Sequence, residues 1–568
     1  TRRLETMNGR GDGAGARHAP VSDVRIDVGG AGDQRKKVVV IGAGFAGLSA
    51  ACYLAKEGFA VTVIDRLPEV GGRCRQWEKD GYVFDMGPSW YWMPDVFDNF
   101  FAAFGRKTSD FLTLRRLDPP YRLFLADGRP LDIPDKVPEV EALFEKLQLG
   151  GRAKFREFMA QAKYKYQVSM ADYVQRPSLH LLEFFDIRML REAFRLHMFQ
   201  SQAAHVRSFF THPDLITIME WPVLFLGGAP KQIPAMYSMM NYAAIELGTW
   251  YPMGGMFEVP LAMKKVALSL GVEFKLGEEH AATKIAVDAS GHATAVETKS
   301  GAIGADFVVG AADYHHIEME LLDGASRNMT EQQWDSFVLS PSALLFFLGV
   351  SRRLSNLRHH NLFFDEDIDK HASEIYDKPR WPSRPLFYAC LQSLSDPSCA
   401  PQGHENLFIL IPLAPGLQDS DEMRERYYEI VIERLERHTG QPIRDAVTVK
   451  RAYAMKDFED DYKSYKGNAY GLANTLSQTA VFKPPAKSRR VDNLYFAGQL
   501  TVPGPGVPPA LISGKIVANL IAEHRAKGKG RTVGTMQLLQ FVPPERVMTF
   551  MCFFLFVLTF FIVFVFRA

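Results

Sequence analysis

The stretch Val38-Val39-Val40-Ile41-Gly42-Ala43-Gly44-Phe45-Ala46-Gly47 decides how this chain folds. Its unbroken apolar run reads as a strand buried on both faces, followed by a glycine turn and the start of a helix. A second apolar strand, Ala60-Val61-Thr62-Val63-Ile64, ends at Asp65. Strand, turn, helix, strand and acid in that order make a dinucleotide-binding βαβ unit. Gly42 permits the tight turn, Gly44 lets the backbone approach a pyrophosphate, and Gly47 lets helix and strand pack closely. The helix N-terminus offers unpaired N–H groups and a positive dipole end to the phosphates. Asp65 stands where a carboxylate accepts hydrogen bonds from a ribose diol.

Further pieces of such a site lie outward from this core. Gly71-Gly72-Arg73 can bring backbone amides and a guanidinium to a phosphate or flavin edge, and Phe84-Asp85-Met86-Gly87-Pro88-Ser89 follows it. Near the other end, Asn493 to Phe496 reads as a short strand leading into Ala497-Gly498-Gln499. A loop rich in proline and glycine then opens a helix at Val507-Pro508-Pro509, again suited to a polar cofactor. Tyr251-Pro252-Met253-Gly254-Gly255-Met256, a helical pattern to about Leu270 and strands near Phe274, Ile285 and Val308 read as more of the same sheet. Residues 101–250 and 337–484 are different, dense in Phe, Met, Leu and Trp: Phe184, Phe185, Met189, Phe194, Met198, Phe209, Phe210 and Trp221 are examples. Spacings such as Phe185–Met189 fit one helix face. Most of these residues read as core, and their density points to an apolar tunnel.

With 568 residues the chain has room for two or three domains. Lys and Arg number 66 against 65 Asp and Glu, a formal net charge of +1, so no global charge calls for a nucleic-acid partner. Cys52, Cys74, Cys390, Cys399 and Cys552 are scattered without metal-ligand spacing. Neither a disulfide framework nor a metal centre is expected, and a reducing compartment fits. Residues 1–34 are rich in Gly, Asp and Arg and read as disordered. Residues 547–566 form an uncharged apolar run. As a helix it would span roughly 30 Å, the hydrocarbon thickness of a bilayer, and so reads as a transmembrane tail anchor rather than a core helix. Arg525, Lys527, Lys529 and Arg531 precede it, which would keep the globular body on the cytoplasmic or equivalent side.

Several of these stretches together resemble the bacterial- and fungal-type phytoene desaturases, carotenoid oxidoreductases among the FAD-dependent amine oxidase-like flavoproteins. The resemblance rests on IGAGFAGLSAACYLAKEGFAVTVID, VGGRCRQWEKDGYVFDMGPSWYWMPDVF, YPMGGMFEVPLAM, ADFVVGAADYHH, DPSCAPQGHENLF and NLYFAGQLTVPGPGVPPALISGKIVANLI, which run from about Lys36 to Ala522. It implies an enzyme holding FAD that desaturates phytoene, a C40 polyene drawn from the lipid bilayer, stepwise toward lycopene. Gly42, Gly44 and Gly47 would hold the pyrophosphate and Asp65 the adenosine ribose, while Gly72 and Arg73 would lie against pyrophosphate or flavin. Gly498, Gln499, Val507 and Pro508 would face the ribityl or isoalloxazine region. A hydride equivalent would leave an allylic CH2 for the flavin, with oxygen or a quinone as onward electron acceptor. Asp85, Trp90, Tyr91 and Trp92 stand as catalytic candidates through a carboxylate or aromatic faces beside cationic character. The other reading makes Asp85 a backbone brace and the aromatics pocket walls.

The fold class expected is α/β: a Rossmann-type FAD-binding domain assembled from residues 35–100, 251–336 and 485–524. A mixed α+β substrate domain, with a helical membrane-facing part, takes residues 101–250 and 337–484. Residues 525–546 would link the body to the transmembrane helix. Two other functions compete with desaturation, a carotenoid cis–trans isomerase using reduced FAD and a non-redox prenyl-lipid carrier.

Overall fold

Strand β1 (Lys37–Ile41), helix α1 (Phe45–Lys56) and strand β2 (Ala60–Asp65) form in the order their pattern predicts. The structure, a computed structural model, describes residues 35–528 apart from 181–182, 184–191 and 193–194. Three more strands complete this first sheet: β3 (Glu273–Leu276), β4 (Phe307–Gly310) and β5 (Leu494–Phe496). All pair in parallel, in the order β5–β4–β1–β2–β3. Stretches far apart in the chain therefore build one sheet. Strands β1, β2 and β4 are nearly continuous apolar runs because both faces of the sheet are covered, one by helices and the other, where Val39, Ile64 and Val308 cluster with Ile285 and Val296, by the chain between β3 and β4.

Helix α1 lies against helices α2 (Glu258–Ser269) and α3 (Val507–Gly528). Ser49 Oγ donates to Leu511 O at 2.6 Å, so the first and last helices are joined by a buried hydrogen bond. Gly514 is what lets them touch: a Cβ there would stand 2.3 Å from Ala46 O. Cys52 is packed in this interface, with Sγ 3.7 Å from Met263 O. Between β3 and β4 the chain makes an antiparallel three-stranded excursion, Ala282–Val287, Ala293–Thr298 and Gly301–Gly304.

A second sheet of seven strands carries the other lobe. Its order is Val447–Tyr453, Ser342–Val350, Glu405–Leu413, Phe387–Cys390, His360–Phe363, Tyr121–Phe124 and Pro130–Ile133. Every neighbouring pair is antiparallel except His360–Phe363 with Tyr121–Phe124. Ser342–Val350 is buried along its whole length. One face packs on helix Asp421–Thr439, with the Phe346 and Tyr428 rings 5.7 Å apart. The other turns toward the first lobe, where Phe347 meets Trp77 and Phe84. Each such large apolar side chain contributes about 1.5–3 kcal/mol on burial. Helices Val137–Leu147, Gly151–Val168, Gln202–Phe209, Pro213–Glu220 and Met239–Ile245 complete this lobe. Phe210 and Trp221 are core there, while Phe184, Phe185, Met189 and Phe194 lie outside the described residues.

One expectation is corrected. Among the described residues no helix is long and apolar enough to cross a membrane. The run at 547–566 and the segment 1–34 lie outside the described residues. Length and apolarity of a run admit a bilayer span but do not by themselves require one, and no described element carries the anchor. The transmembrane helix and the membrane location derived from it are withdrawn.

Candidate active site

A single cavity of about 740 Å³ runs between the two lobes. At one end its wall is the β1–α1 turn. Gly42 takes φ +109, and a Cβ there would meet the Ala311 carbonyl carbon at 2.8 Å. Gly47 lies beneath the turn rather than on the wall, and its Cβ would stand 1.9 Å from Gly42 O. Gly44 differs from both. It caps α1 with extended backbone, and a Cβ on it would meet nothing within 4 Å, because it faces the cavity. No side chain caps α1 and no acid stands in its first turn, so its N-terminal N–H groups remain available to an anion.

Asp65 is on the same wall. Its carboxylate accepts from Ala43 N (2.7 Å) and Leu67 N (2.9 Å), which fixes its direction and leaves lone pairs over for a diol. Burial raises its pKa, and those two N–H donors oppose the rise. Gly72 packs with its α-carbon edge on Gly44: a Cβ there would lie 3.3 Å from Gly44 Cα. Arg73 comes next. Its Nη2 donates to Ser464 Oγ at 2.9 Å and Asn468 O at 3.3 Å, and its guanidinium lies 5.1 Å from the Tyr462 ring centre. Turned so that its nitrogen donates to Tyr470 O, the Gln499 amide accepts from both Arg73 Nη atoms, at 3.2 and 2.9 Å. Arg73 Nε is buried with no hydrogen-bond partner among the described residues. Burial lowers the Arg73 pKa, and the Asp313 carboxylate is the largest influence holding it up. Gly498, Gln499, Val507 and Pro508 line the same end, so the two termini of the folded body meet here. Gly498 N donates to Ser513 Oγ at 3.0 Å, tying the loop to α3.

These residues fit FAD. An orphaned guanidinium N–H, an uncapped helix start and a glycine opening into empty space are a cradle for a pyrophosphate. A carboxylate aimed by two backbone donors suits a ribose.

The four catalytic candidates separate. Trp90 and Trp92 are on the cavity wall; Asp85 and Tyr91 are not. Asp85 accepts from Met256 N (2.7 Å), Gln76 Nε2 (3.2 Å), Phe257 N (3.4 Å) and Gln392 Nε2. Burial pushes its carboxyl up to about 6, against those donors. Its hydrogen bonds go to backbone and to two amide side chains rather than into the cavity. Tyr91 is stacked on Phe97 with centroids 4.4 Å apart, away from the wall. Trp90 lies flat on the His360 ring, 3.9 Å between centroids at 12°, and touches Trp92 and Trp221 edge-on or tilted. Trp92 Nε1 donates to Thr249 Oγ1 at 2.8 Å.

Sequence reasoning missed the rest of the wall. Leu226, Met236, Tyr237, Met239, Leu345, Leu362 and Tyr388 join Trp221 in a long apolar slot continuous with the cofactor end. Their type signalled core, and only the pairing of distant strands shows which face open space. His316 also reaches the wall, whereas His315 is 2.9 Å from Glu331 Oε2 and stacked on Tyr465.

Comparison with known proteins agrees with this geometry. The flavin containing amine oxidoreductase family matches residues 45–522. A carotenoid 3,4-desaturase from Haloarcula japonica is 40% identical over 491 residues, covering 86% of this chain and 98% of its own length. A zeta-carotene-forming phytoene desaturase from Myxococcus xanthus is 30% identical over 496 residues, 86% of this chain and 94% of its own. A putrescine oxidase redesigned in its cofactor binding superposes with a TM-score of 0.55 at 14% identity, covering 86% of this chain and 99% of the other, a likeness of fold alone. Nucleotide cradle, matched length and relatives together place the chain in the flavin containing amine oxidoreductase family, among its carotenoid desaturases, as an oxidoreductase that holds FAD.

Proposed function

We propose that the protein dehydrogenates a linear C40 carotene, phytoene, in steps toward lycopene. The observation that carries this reading is one cavity with a phosphate-binding turn and Arg73 at one end and an apolar slot at the other. Phytoene has no polar handle, so slot shape and dispersion must select it. Methionines such as Met236 and Met239 fill an irregular slot, while the Trp90, Trp92 and Trp221 group is a stiff wall. When bound, FAD supplies the two-electron acceptor for the hydride equivalent lost from an allylic CH2. The chain's part is to exclude water, hold the polyene near the nucleotide end and offer aromatic faces to cationic character. Oxygen or a quinone takes the electrons onward.

A second reading draws on the relative at 40% identity: a carotene already conjugated, dehydrogenated near its end. One experiment tests both. Holoprotein is mixed anaerobically with liposomes carrying phytoene or lycopene, flavin bleaching is followed, and pigments are analysed by chromatography and mass. Bleaching with products lacking pairs of hydrogens supports desaturation, and the substrate that bleaches decides between the readings. Products of unchanged mass would make it an isomerase. Bound polyene without bleaching would make it a carrier.

A further inference from the structure

A buried polar cluster stands behind the slot wall, where His360 carries the Trp90 ring. His360 opens strand His360–Phe363 and pairs directly with Cys390 at the end of strand Phe387–Cys390. His359 precedes it. One ring nitrogen of each histidine and Cys390 Sγ lie within 4.8 Å of one another, all three residues buried. His359 Nδ1 is 2.8 Å from Ser395 Oγ, and His360 Nδ1 is 2.6 Å from Tyr388 Oη. With each Nδ1–H donating to its hydroxyl, each Nε2 presents a lone pair. Neither Nε2 has a hydrogen-bond partner among the described residues, although the side chains' residues are only 5% and 0% exposed. A buried acceptor left unpaired costs about 1–3 kcal/mol, and both histidines of the cluster carry one.

We infer that His359, His360 and Cys390 form a zinc site. Two imidazole nitrogens and a thiolate are the donor set of a borderline-soft cation; magnesium and calcium take oxygen. Hydroxyls on both Nδ1 atoms match how metal-ligating histidines are oriented by an outer partner. Bonds of about 2.0–2.3 Å require the three atoms to close by roughly an ångström. Side-chain torsions supply that without moving the strands. Binding exchanges the Cys390 thiol proton for the metal and releases it to solvent; no electron moves. Zinc with one thiolate carries a residual single positive charge, and the carboxylates of Asp85 and Asp396 act electrostatically on Cys390 and His359 respectively. The fourth position remains for water. Such a site would clamp two strands and, through His360, fix Trp90 on the slot wall. It runs against the sequence expectation of no metal, because strand register rather than spacing brings the ligands together.

The test is metal content, measured independently of any reaction. Holoprotein is incubated with Zn2+, dialysed and analysed for zinc and FAD per chain. Wild type should keep about one zinc, and Cys390→Ser and His359→Gln should lose it about tenfold or more while retaining FAD. Tyr388→Phe, which removes only an orienting hydroxyl, should weaken zinc binding about 10–100-fold. Wild type charged with Co2+ should show a thiolate-to-cobalt charge-transfer band, a readout that needs no variant to fold. Wild type that holds no zinc, zinc retained by Cys390→Ser, or a cobalt spectrum without that band would each overturn the site.

Discussion

Replacing Gly44 by valine should separate what the β1–α1 turn does for the fold from what it does for the cofactor. Gly44 has φ −76 and ψ −176, extended backbone open to any residue, and its Cβ would meet no atom within 4 Å. The fold therefore barely registers a side chain there. Lower unfolded-state entropy gains about 0.4–1 kcal/mol, and a poorer helix cap gives back a similar amount. The cofactor registers it strongly, because the new methyls occupy space over the first turn of α1 where phosphates approach. Losing two hydrogen bonds to a charged group costs about 3–6 kcal/mol, two to four decades in Kd. The assay is titration of apoprotein with FAD by fluorescence quenching, with apoprotein thermal unfolding alongside. Gly47→Ala is the contrasting control: its Cβ would stand 1.9 Å from Gly42 O, so the apoprotein itself should lose about 1–3 kcal/mol. An FAD affinity for Gly44→Val equal to wild type would refute the placement of the pyrophosphate. So would an apoprotein midpoint lowered as far as that of Gly47→Ala.

Other outcomes follow from buried charge and from the wall. The Asp85 carboxyl is pushed from 3.8 up to about 6 by burial. A folded pKa above the unfolded one means stability is fully present below 3.8 and falls as pH rises through 6. Between pH 5 and 7.5 wild type should lose roughly 1 kcal/mol more than Asp85→Asn does, and equal slopes in denaturant titrations would remove that assignment. Lys483 Nζ is buried with no hydrogen-bond partner among the described residues, and burial lowers its pKa to about 7. A base lowered in this way costs stability increasingly as pH falls toward 7. Lys483→Met should therefore be more stable than wild type by about 1–3 kcal/mol at neutral pH, and a destabilised apoprotein would show that the ammonium has a partner. Trp90→Ala should cost about 3–5 kcal/mol and widen the slot, altering the product distribution measured by chromatography. Unchanged products from a folded variant would deny Trp90 a part in shaping it.

How much of this could be read from residues alone depended on distance along the chain. β1, α1, β2 and Asp65 were legible because a strand, its turn and the next helix are neighbours, and glycine reports its own geometry. The strands near Phe274 and Val308 join this sheet as read, each ending at a glycine, whereas Ile285, read as part of the same sheet, stands in the separate antiparallel excursion. Arg73 could be placed near a phosphate by the glycines before it, but Ser464, Asn468 and Gln499, which hold it, follow no spacing rule. The parallel join of His360–Phe363 to Tyr121–Phe124 is equally silent in sequence, and with it the identity of the slot wall. The apolar run at 547–566 lies outside the described residues, so the fold gives it no place.

Asp85 shows why both ends of the cavity keep their spacing. The glycine turns lie at the carboxyl ends of parallel strands, where α/β sheets bind their ligands, while the slot is walled by antiparallel strands of the other lobe. Nothing in either sheet alone sets the distance between them. Asp85 receives hydrogen bonds from Gln76 beside the Arg73 segment, from the Met256–Phe257 turn that starts α2, and from Gln392 of the second lobe. A buried carboxylate tolerates no loss of donors, so these three segments move together or not at all. Trp90 follows five residues later on the same stretch of chain, which makes the wall of the slot rigid with respect to the cofactor turn. Asp85 thus acts on geometry, through the spacing it keeps between the cofactor turn and the slot.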